Sequence, residues 1–217
     1  MPLTFYLGAG SPFAWRVHLA LEHKRLPYDL KLLSFSAGDT RTPEFLALNP
    51  RHHVPVIQDG DFVLYESAVI LEYLEDKYPA ADPATALFPK DVQARAITRR
   101  MAREAEIYFG LEGMERLVAQ IFFTKPEERS AKELDKGMKV VADELAFFEK
   151  EIRDDFLAGP LSAADFTLYP LLAFSLRAEK KYRDAAVSEL IGPRMLAWKA
   201  RIEALPYFQK TWPPHWK

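Results

Sequence analysis

Residues 49–67 read Asn49-Pro50-Arg51-His52-His53-Val54-Pro55-Val56-Ile57-Gln58-Asp59-Gly60-Asp61-Phe62-Val63-Leu64-Tyr65-Glu66-Ser67. No other stretch narrows the possible folds so far. Val54–Gln58 and Asp61–Tyr65 are short β-prone runs joined by Asp59-Gly60, a two-residue hairpin signal. Pro55 stands at the entry of the first run, where a missing N–H is tolerated. After Tyr65 the period changes. Ala68, Val69, Ile70, Leu71, Tyr73 and Leu74 keep helical spacing, with Ser67 in the N-cap place. A cis Val54–Pro55 bond would bend the strand and turn the main-chain groups of Val54 outward, open to an extended ligand pairing as an added strand. Ser67 and the first N–H groups of its helix would seat a carboxylate, and Glu66 an ammonium. The stretch is expected to hold an amino-acid head group. Read residue by residue it is a hairpin with an ordinary cap, and for Pro55 alone the trans bond is the default.

Composition sets the frame for this reading. The 217 residues suit one large domain or two small ones, and 49% apolar residues supply a full core. A net charge of −2 points to neither nucleic acid nor a membrane surface. No apolar run approaches the roughly 20 residues that span a bilayer, and no signal peptide is expected at the N-terminus. A soluble, cytoplasmic protein is the expectation. There is no cysteine, so a disulfide framework and thiol exchange by the protein's own sulfur are excluded. His18, His23, His52, His53 and His215 form no ligand cluster, and no metal is expected.

In chain order, Leu3–Leu7 is an apolar run expected as a buried strand. Gly8-Ala9-Gly10 turns the chain, and Ser11-Pro12 opens a helix running to about Lys24, with Ser as N-cap and Pro at N1. Gly8-x-Gly10 lacks the third glycine of a dinucleotide loop, since position 13 is Phe. Tyr28–Ser34 reads as a second strand, 35–42 as a polar loop and Pro43–Leu48 as a short helix. With the hairpin and a helix over Ser67–Tyr78 this gives βαβαββα, an α/β domain over residues 1–79 whose first two strands are parallel. Residues 80–89, rich in proline, read as a linker. Residues 90–217 read as all-α. The helices expected are one over 90–124, bent at Gly110 and Gly113, one from near Pro126 to about Leu157, and a last one marked by Met195, Trp198, Ile202 and Leu205. Ser162-x-x-Asp165 reads as a capping box, and Trp212–Trp216 as an irregular aromatic tail.

These residues, in this order and spacing, resemble the cytosolic glutathione transferases along essentially the whole chain. The features that carry the resemblance are Ser11-Pro12-Phe13 with Arg16, Asn49-Pro50 before Val54-Pro55, Glu66-Ser67, the linker, and Ser162-x-x-Asp165. The Ser-Pro-Phe start is most similar to the tau and phi classes and related bacterial enzymes. The resemblance implies a thioredoxin-like domain followed by a helical one, glutathione as co-substrate, no metal, a homodimer, and a detoxifying transfer of the glutathione thiol to small apolar electrophiles. It also implies roles. Ser11 would donate to the glutathione sulfur and stabilise the thiolate, which is the nucleophile. Val54, beside the cis-proline Pro55, would pair with the cysteinyl main chain. Glu66 and Ser67 would hold the γ-glutamyl group, Arg41 would stand near the glycyl carboxylate, and His53, where many members have glutamine, would leave a donor for glutathione. Phe13 and Tyr108 would line the electrophile pocket.

Alternatives remain open. With Ser-Pro alone, Ser11 is as well explained as a helix cap. Relatives that use a protein thiol place cysteine at position 11, and zeta-class isomerases resemble Ser-Ser-Cys there, so neither pattern fits. The tyrosine of other classes falls in register on Phe5, which leaves Tyr6 on the opposite strand face as structural. A glutathione-dependent isomerase, dehalogenase or peroxidase, or a non-catalytic binding module, would use the same fold.

Overall fold

A computed structural model describes residues 3–152 and 154–216. The opening stretch forms Leu3–Gly8 (β1), Pro12–His23 (α1), Tyr28–Leu33 (β2), Pro43–Leu48 (α2), Val56–Asp59 (β3), Phe62–Tyr65 (β4) and Ser67–Lys77 (α3). The sheet order is β2-β1-β3-β4. β2 is parallel to β1, whereas β3 runs antiparallel to both β1 and β4. The strand period of two separates the faces of β1. Phe5 meets the rings of His18 and Tyr28 on the α1 side at 5.7 and 6.0 Å. Tyr6 meets Phe45 of α2 at 6.2 Å and donates to Gln58 Oε1. This is the thioredoxin-like βαβαββα order.

Two local readings are corrected here. Asp59 pairs with Phe62, so the central turn residues are Gly60 and Asp61, not Asp59 and Gly60. Gly60 takes the positive φ (62°) that such a turn needs. Asp59 is thereby freed for another task. Its carboxylate accepts from the hydroxyls of Tyr73 and Tyr78 at 2.7 and 2.6 Å, pinning the hairpin to α3. Those two donors hold the Asp59 carboxyl below its usual range. The loop over 35–42 contains a 3₁₀ turn, Asp39–Arg41, where a structureless polar loop is expected.

Of the described residues, those up to Leu87 and those from Pro206 onward form one compact unit, and Phe88–Leu205 form another. In the first unit, the nearly buried Lys24 ammonium meets Glu75 at 2.7 Å, and the same carboxylate accepts from the N–H of Leu87. In the second unit the helices are Val92–Glu104 (α4), Glu115–Phe122 (α5), Ala131–Glu151 (α6), Ala163–Lys181 (α7) and Pro193–Glu203 (α8). Ala105–Met114, between α4 and α5, is π-helical rather than a glycine-bent α-helix. Both glycines sit at close approaches there: a Cβ on Gly113 would lie 3.1 Å from Val141, and one on Gly110 3.3 Å from Leu171. α6 ends at Glu151, short of the expected Leu157, because Ile152 turns extended. Ser162 and Asp165 form the capping box of α7. The fully buried Asp165 accepts from Leu157 N, Ser162 N, Ser162 Oγ and Trp198 Nε1, at 2.8–3.1 Å.

Two buried histidines make the first unit sensitive to acid. His18 Nε2 lies 2.9 Å from the Tyr28 hydroxyl, and His23 Nδ1 lies 2.8 Å from that of Tyr207. Burial pushes both imidazoles down from 6.5 to about 4. Below pH 6.5 the unfolded chain binds protons that the folded chain refuses. Stability is therefore complete above 6.5 and falls as pH drops toward 4. At 1.36 kcal/mol per unit, each histidine accounts for about 3 kcal/mol at the acid end. Urea midpoints measured across this range should fall steeply, and His18→Leu should remove roughly half of the dependence. A wild-type midpoint that stays flat down to about pH 4 would refute the assignment.

Candidate functional site

The site begins at the turn that leaves β1. Ser11 N–H donates to Gly8 O at 3.1 Å, and Ser11 Oγ accepts from Ala14 N–H at 3.3 Å as the N-cap of α1. A hydroxyl has two acceptor positions and one donor. The cap uses an acceptor position, so the Ser11 proton stays available to a second partner. That partner would feel the positive end of the α1 dipole.

Gly8 marks where this turn meets the next part of the site. A Cβ there would clash with the Phe35 ring and stand 2.9 Å from Val54 Cγ2. The Val54–Pro55 bond is cis. The ladders of β3 begin at Val56, opposite Tyr6 on one side and Tyr65 on the other. Val54 therefore lies outside the paired register. Asn49 supports the approach by donating from Nδ2 to His53 O at 2.8 Å and accepting from Arg51 N–H.

The third part is the start of α3. Glu66, not Ser67, is the N-cap residue, with φ at +71° and no side-chain cap bond. The expected Ser67 cap is thus corrected. Ser67 is the first helical residue, and its Oγ accepts from Arg16 Nη2 of α1. A buried cation 51 residues away in sequence has claimed the oxygen that a cap would have used. Among the described residues the first N–H groups of α3 have no side-chain acceptor, and the bond from Arg16 leaves the Ser67 proton free to donate. The exposed Glu66 side chain stands beside them in a left-handed backbone conformation that a non-glycine residue adopts only when its surroundings enforce it.

The other expected site residues are placed as follows. Arg41 ends the 3₁₀ turn and is exposed, and the exposed His53 ring packs on His52 at 5.1 Å. Among the described residues neither side chain hydrogen-bonds to Val54, Glu66 or Ser67. Phe13 is half-buried beneath the Arg16 guanidinium, 5.6 Å from its ring centroid. Tyr108 lies on the π-helical segment, 45% exposed. Among the described residues no group of three or more His, Asp or Glu side chains gathers as a metal site. Sequence reading did not foresee Arg16 as the partner of Ser67; its only signal was a cation five residues after Ser11 on the same helix.

A thioredoxin-like unit with a hydroxyl at the head of α1, an unpaired valine main chain before a cis-proline and a donor-rich start to α3, accompanied by an all-helical unit, defines a class of fold. Comparisons with known proteins give it a family. Residues 10–77 match the model for the glutathione S-transferase N-terminal domain, and residues 115–206 match that for the C-terminal domain. Glutathione S-transferase 3 of Zea mays is 30% identical, with 97% of this chain and 93% of the maize protein covered. Glutathione S-transferase A of Pleuronectes platessa is 28% identical over 99% and 92%. Among solved structures, a glutathione S-transferase from the Antarctic clam Laternula elliptica superposes with a TM-score of 0.82 at 30% identity, over 100% of this chain and 94% of that one. The chain belongs to the glutathione S-transferase family, whose co-substrate is glutathione.

Proposed function

We propose that the protein is a serine-type glutathione transferase, akin to the phi and tau classes, that joins the glutathione thiol to small apolar electrophiles. The observation that carries this reading is the double use of α1. Its N-cap supplies the Ser11 hydroxyl, and its buried Arg16 holds Ser67. The thiol donor and the brace of the carboxylate seat thus share one helix. Val54 pairs with the cysteinyl main chain, Glu66 takes the ammonium, and Ser67 with the α3 N–H groups takes the carboxylate, with the Arg16 charge behind it. Ser11 then donates to the sulfur. A free thiol near pKa 8.5 is mostly protonated at neutral pH, so a donor to the thiolate raises the reactive fraction. Arg41 serves the glycyl end, His53 leaves a donor next to Val54, and Phe13 contacts the electrophile. Cytoplasmic location and a homodimer complete the proposal; exposed Phe62 and Val69 on the β4–α3 side give the dimer an apolar contact.

The test is glutathione calorimetry combined with conjugation kinetics on an aryl halide. Arg16→Met keeps the apolar stem and removes the charge. It should raise the dissociation constant for glutathione about tenfold, as expected for a lost charge-assisted bond of about 1.4 kcal/mol or more, with a smaller change in kcat. Wild-type protein that fails to bind glutathione would sink the proposal. Tight binding with no conjugation across a panel of electrophiles would return it to a binding module.

A further inference from the structure

The turn that presents Ser11 is built from Gly8-Ala9-Gly10, a segment with little intrinsic stiffness. Its Gly8 end is held by Phe35 and Val54. Its Gly10 end, at φ +88°, is held by residues more than two hundred positions further on. A Cβ on Gly10 would stand 3.0 Å from His215 Cε1 and Nε2, and 3.2 Å from Trp216 Nε1. Those two rings act as one wall, since Trp216 Nε1–H donates to His215 Nε2 at 3.1 Å.

The wall is anchored to the same helix that Ser11 caps. Trp15 of α1 meets Trp212 and Trp216 edge-on, at 5.4 and 5.5 Å between ring centroids. Its indole N–H donates to Thr211 Oγ1 at 3.0 Å. Thr211 ends a short helix, Phe208–Thr211 (α9), and passes its own hydroxyl proton to Phe208 O. A cavity of about 290 Å³ lies beside these contacts, lined by Ala9, Gly10 and Ser11 of the turn, Leu30 and Leu32 of β2, and Pro213 and Pro214. The segment also reaches the sheet, where the Lys210 ammonium stands 5.5 Å from the ring centroid of Tyr28.

We propose that residues 206–216 form a positioning element for thiol activation: the Trp216–His215 wall, clamped on Trp15, fixes the Gly10 turn and so the direction of the Ser11 hydroxyl. The inference rests on the catalytic reading of Ser11. A hydroxyl that wanders loses most of its effect on the sulfur, because stabilisation of a developing or resident charge depends on a preorganised donor. Glutathione itself is held mainly elsewhere, at Val54, Glu66 and Ser67. Loss of the wall should therefore weaken activation and leave binding largely intact.

The experiment compares Trp216→Ala, Trp216→Phe, Thr211→Val and Ser11→Ala in the full chain. Its readouts are glutathione affinity, kcat, and the pH profile of kcat/KM, whose acid limb reports ionisation of the thiol. Trp216→Ala should move that limb upward by about one pH unit, tenfold in thiolate fraction, with glutathione affinity within about twofold of wild type. Trp216→Phe should restore the profile in part, since it refills the ring contact with Trp15 but not the bond to His215. Thr211→Val, which removes the acceptor for Trp15 and the hydroxyl's own bond to Phe208 O, should shift it the same way by less and covers the case in which Trp216→Ala fails to fold. If Ser11→Ala loses about 10²-fold in conjugation while the Trp216 and Thr211 variants keep the wild-type profile, the positioning role is wrong and the catalytic reading stands. If Ser11→Ala is fully active, both are wrong. A fall in kcat that tracks a lowered melting temperature, with an unmoved profile, would make the segment merely structural.

Discussion

Ser11→Ala is expected to bind glutathione almost as wild type and to lose about 10²-fold in kcat/KM with an aryl halide, the usual loss when one preorganised donor to a charged centre is removed. Two effects of the substitution must be separated. Ser11 Oγ accepts the N–H of Ala14, so alanine also deletes a helix cap, at a cost of about 1 kcal/mol in stability. That loss lowers a melting temperature by a few degrees and leaves folded enzyme at assay temperature. The kinetic loss belongs to the other side of the hydroxyl, the proton that the cap does not use. Raising the pH should rescue the variant progressively, because the thiol then ionises unaided. A variant with an unchanged pH profile and full turnover would reduce Ser11 to its capping role.

The largest expected effect on stability lies in the other unit, at Asp165. Its carboxylate is fully buried and accepts four hydrogen bonds, two from Ser162, one from Leu157 N–H and one from the Trp198 indole. Burial pushes the carboxyl up, and the four donors pull the other way. Asp165→Ala strands those donors in a water-poor site, where each unsatisfied group costs about 1–3 kcal/mol. The loss should reach about 4 kcal/mol, or roughly 8–16 °C for a chain of this size. Asp165→Asn keeps the volume but turns one acceptor arm into a donor facing donors, and should recover only part. Circular-dichroism melting of the three proteins decides the matter. A shift of about 2 °C or less for alanine would mean that the donors find other acceptors.

The parts legible in the sequence are those governed by neighbours along the chain. The first two strands, the Ser11-Pro12 start of α1 and the Ser162–Asp165 box follow from local spacing and cap chemistry, and form as expected. The misplacements share a different cause. Ser67 carries every local mark of an N-cap, yet Arg16 takes its oxygen from another helix. Asp59-Gly60 is a strong turn signal, but Asp59 pairs with Phe62 in the ladder and bonds the tyrosines at 73 and 78, so the turn sits one residue further on. Apolar spacing continues to Ile152, and only the extended backbone there ends α6. The π-helical segment keeps its apolar residues, so a pattern tuned to 3.6 residues per turn does not separate it from α-helix. For the candidate site, residue types were readable and their mechanical coupling through α1 was not.

The return of residues 206–216 onto the first unit bears on how the chain is made. The thioredoxin-like unit is discontinuous in sequence, with some 118 residues of helical unit inserted before its last piece. During synthesis, domains generally form as they emerge. Here the sheet and α1 emerge early with Trp15 uncovered, and they wait until the whole helical unit has followed. The indole that seals α1 and the turn that aims the hydroxyl are completed together by the late arrival of Thr211, Trp212 and Trp216. A ribosome-bound chain stalled before that point should show an exposed, quenchable Trp15 and no conjugating activity, so that catalytic competence reports the arrival of residues 206–216.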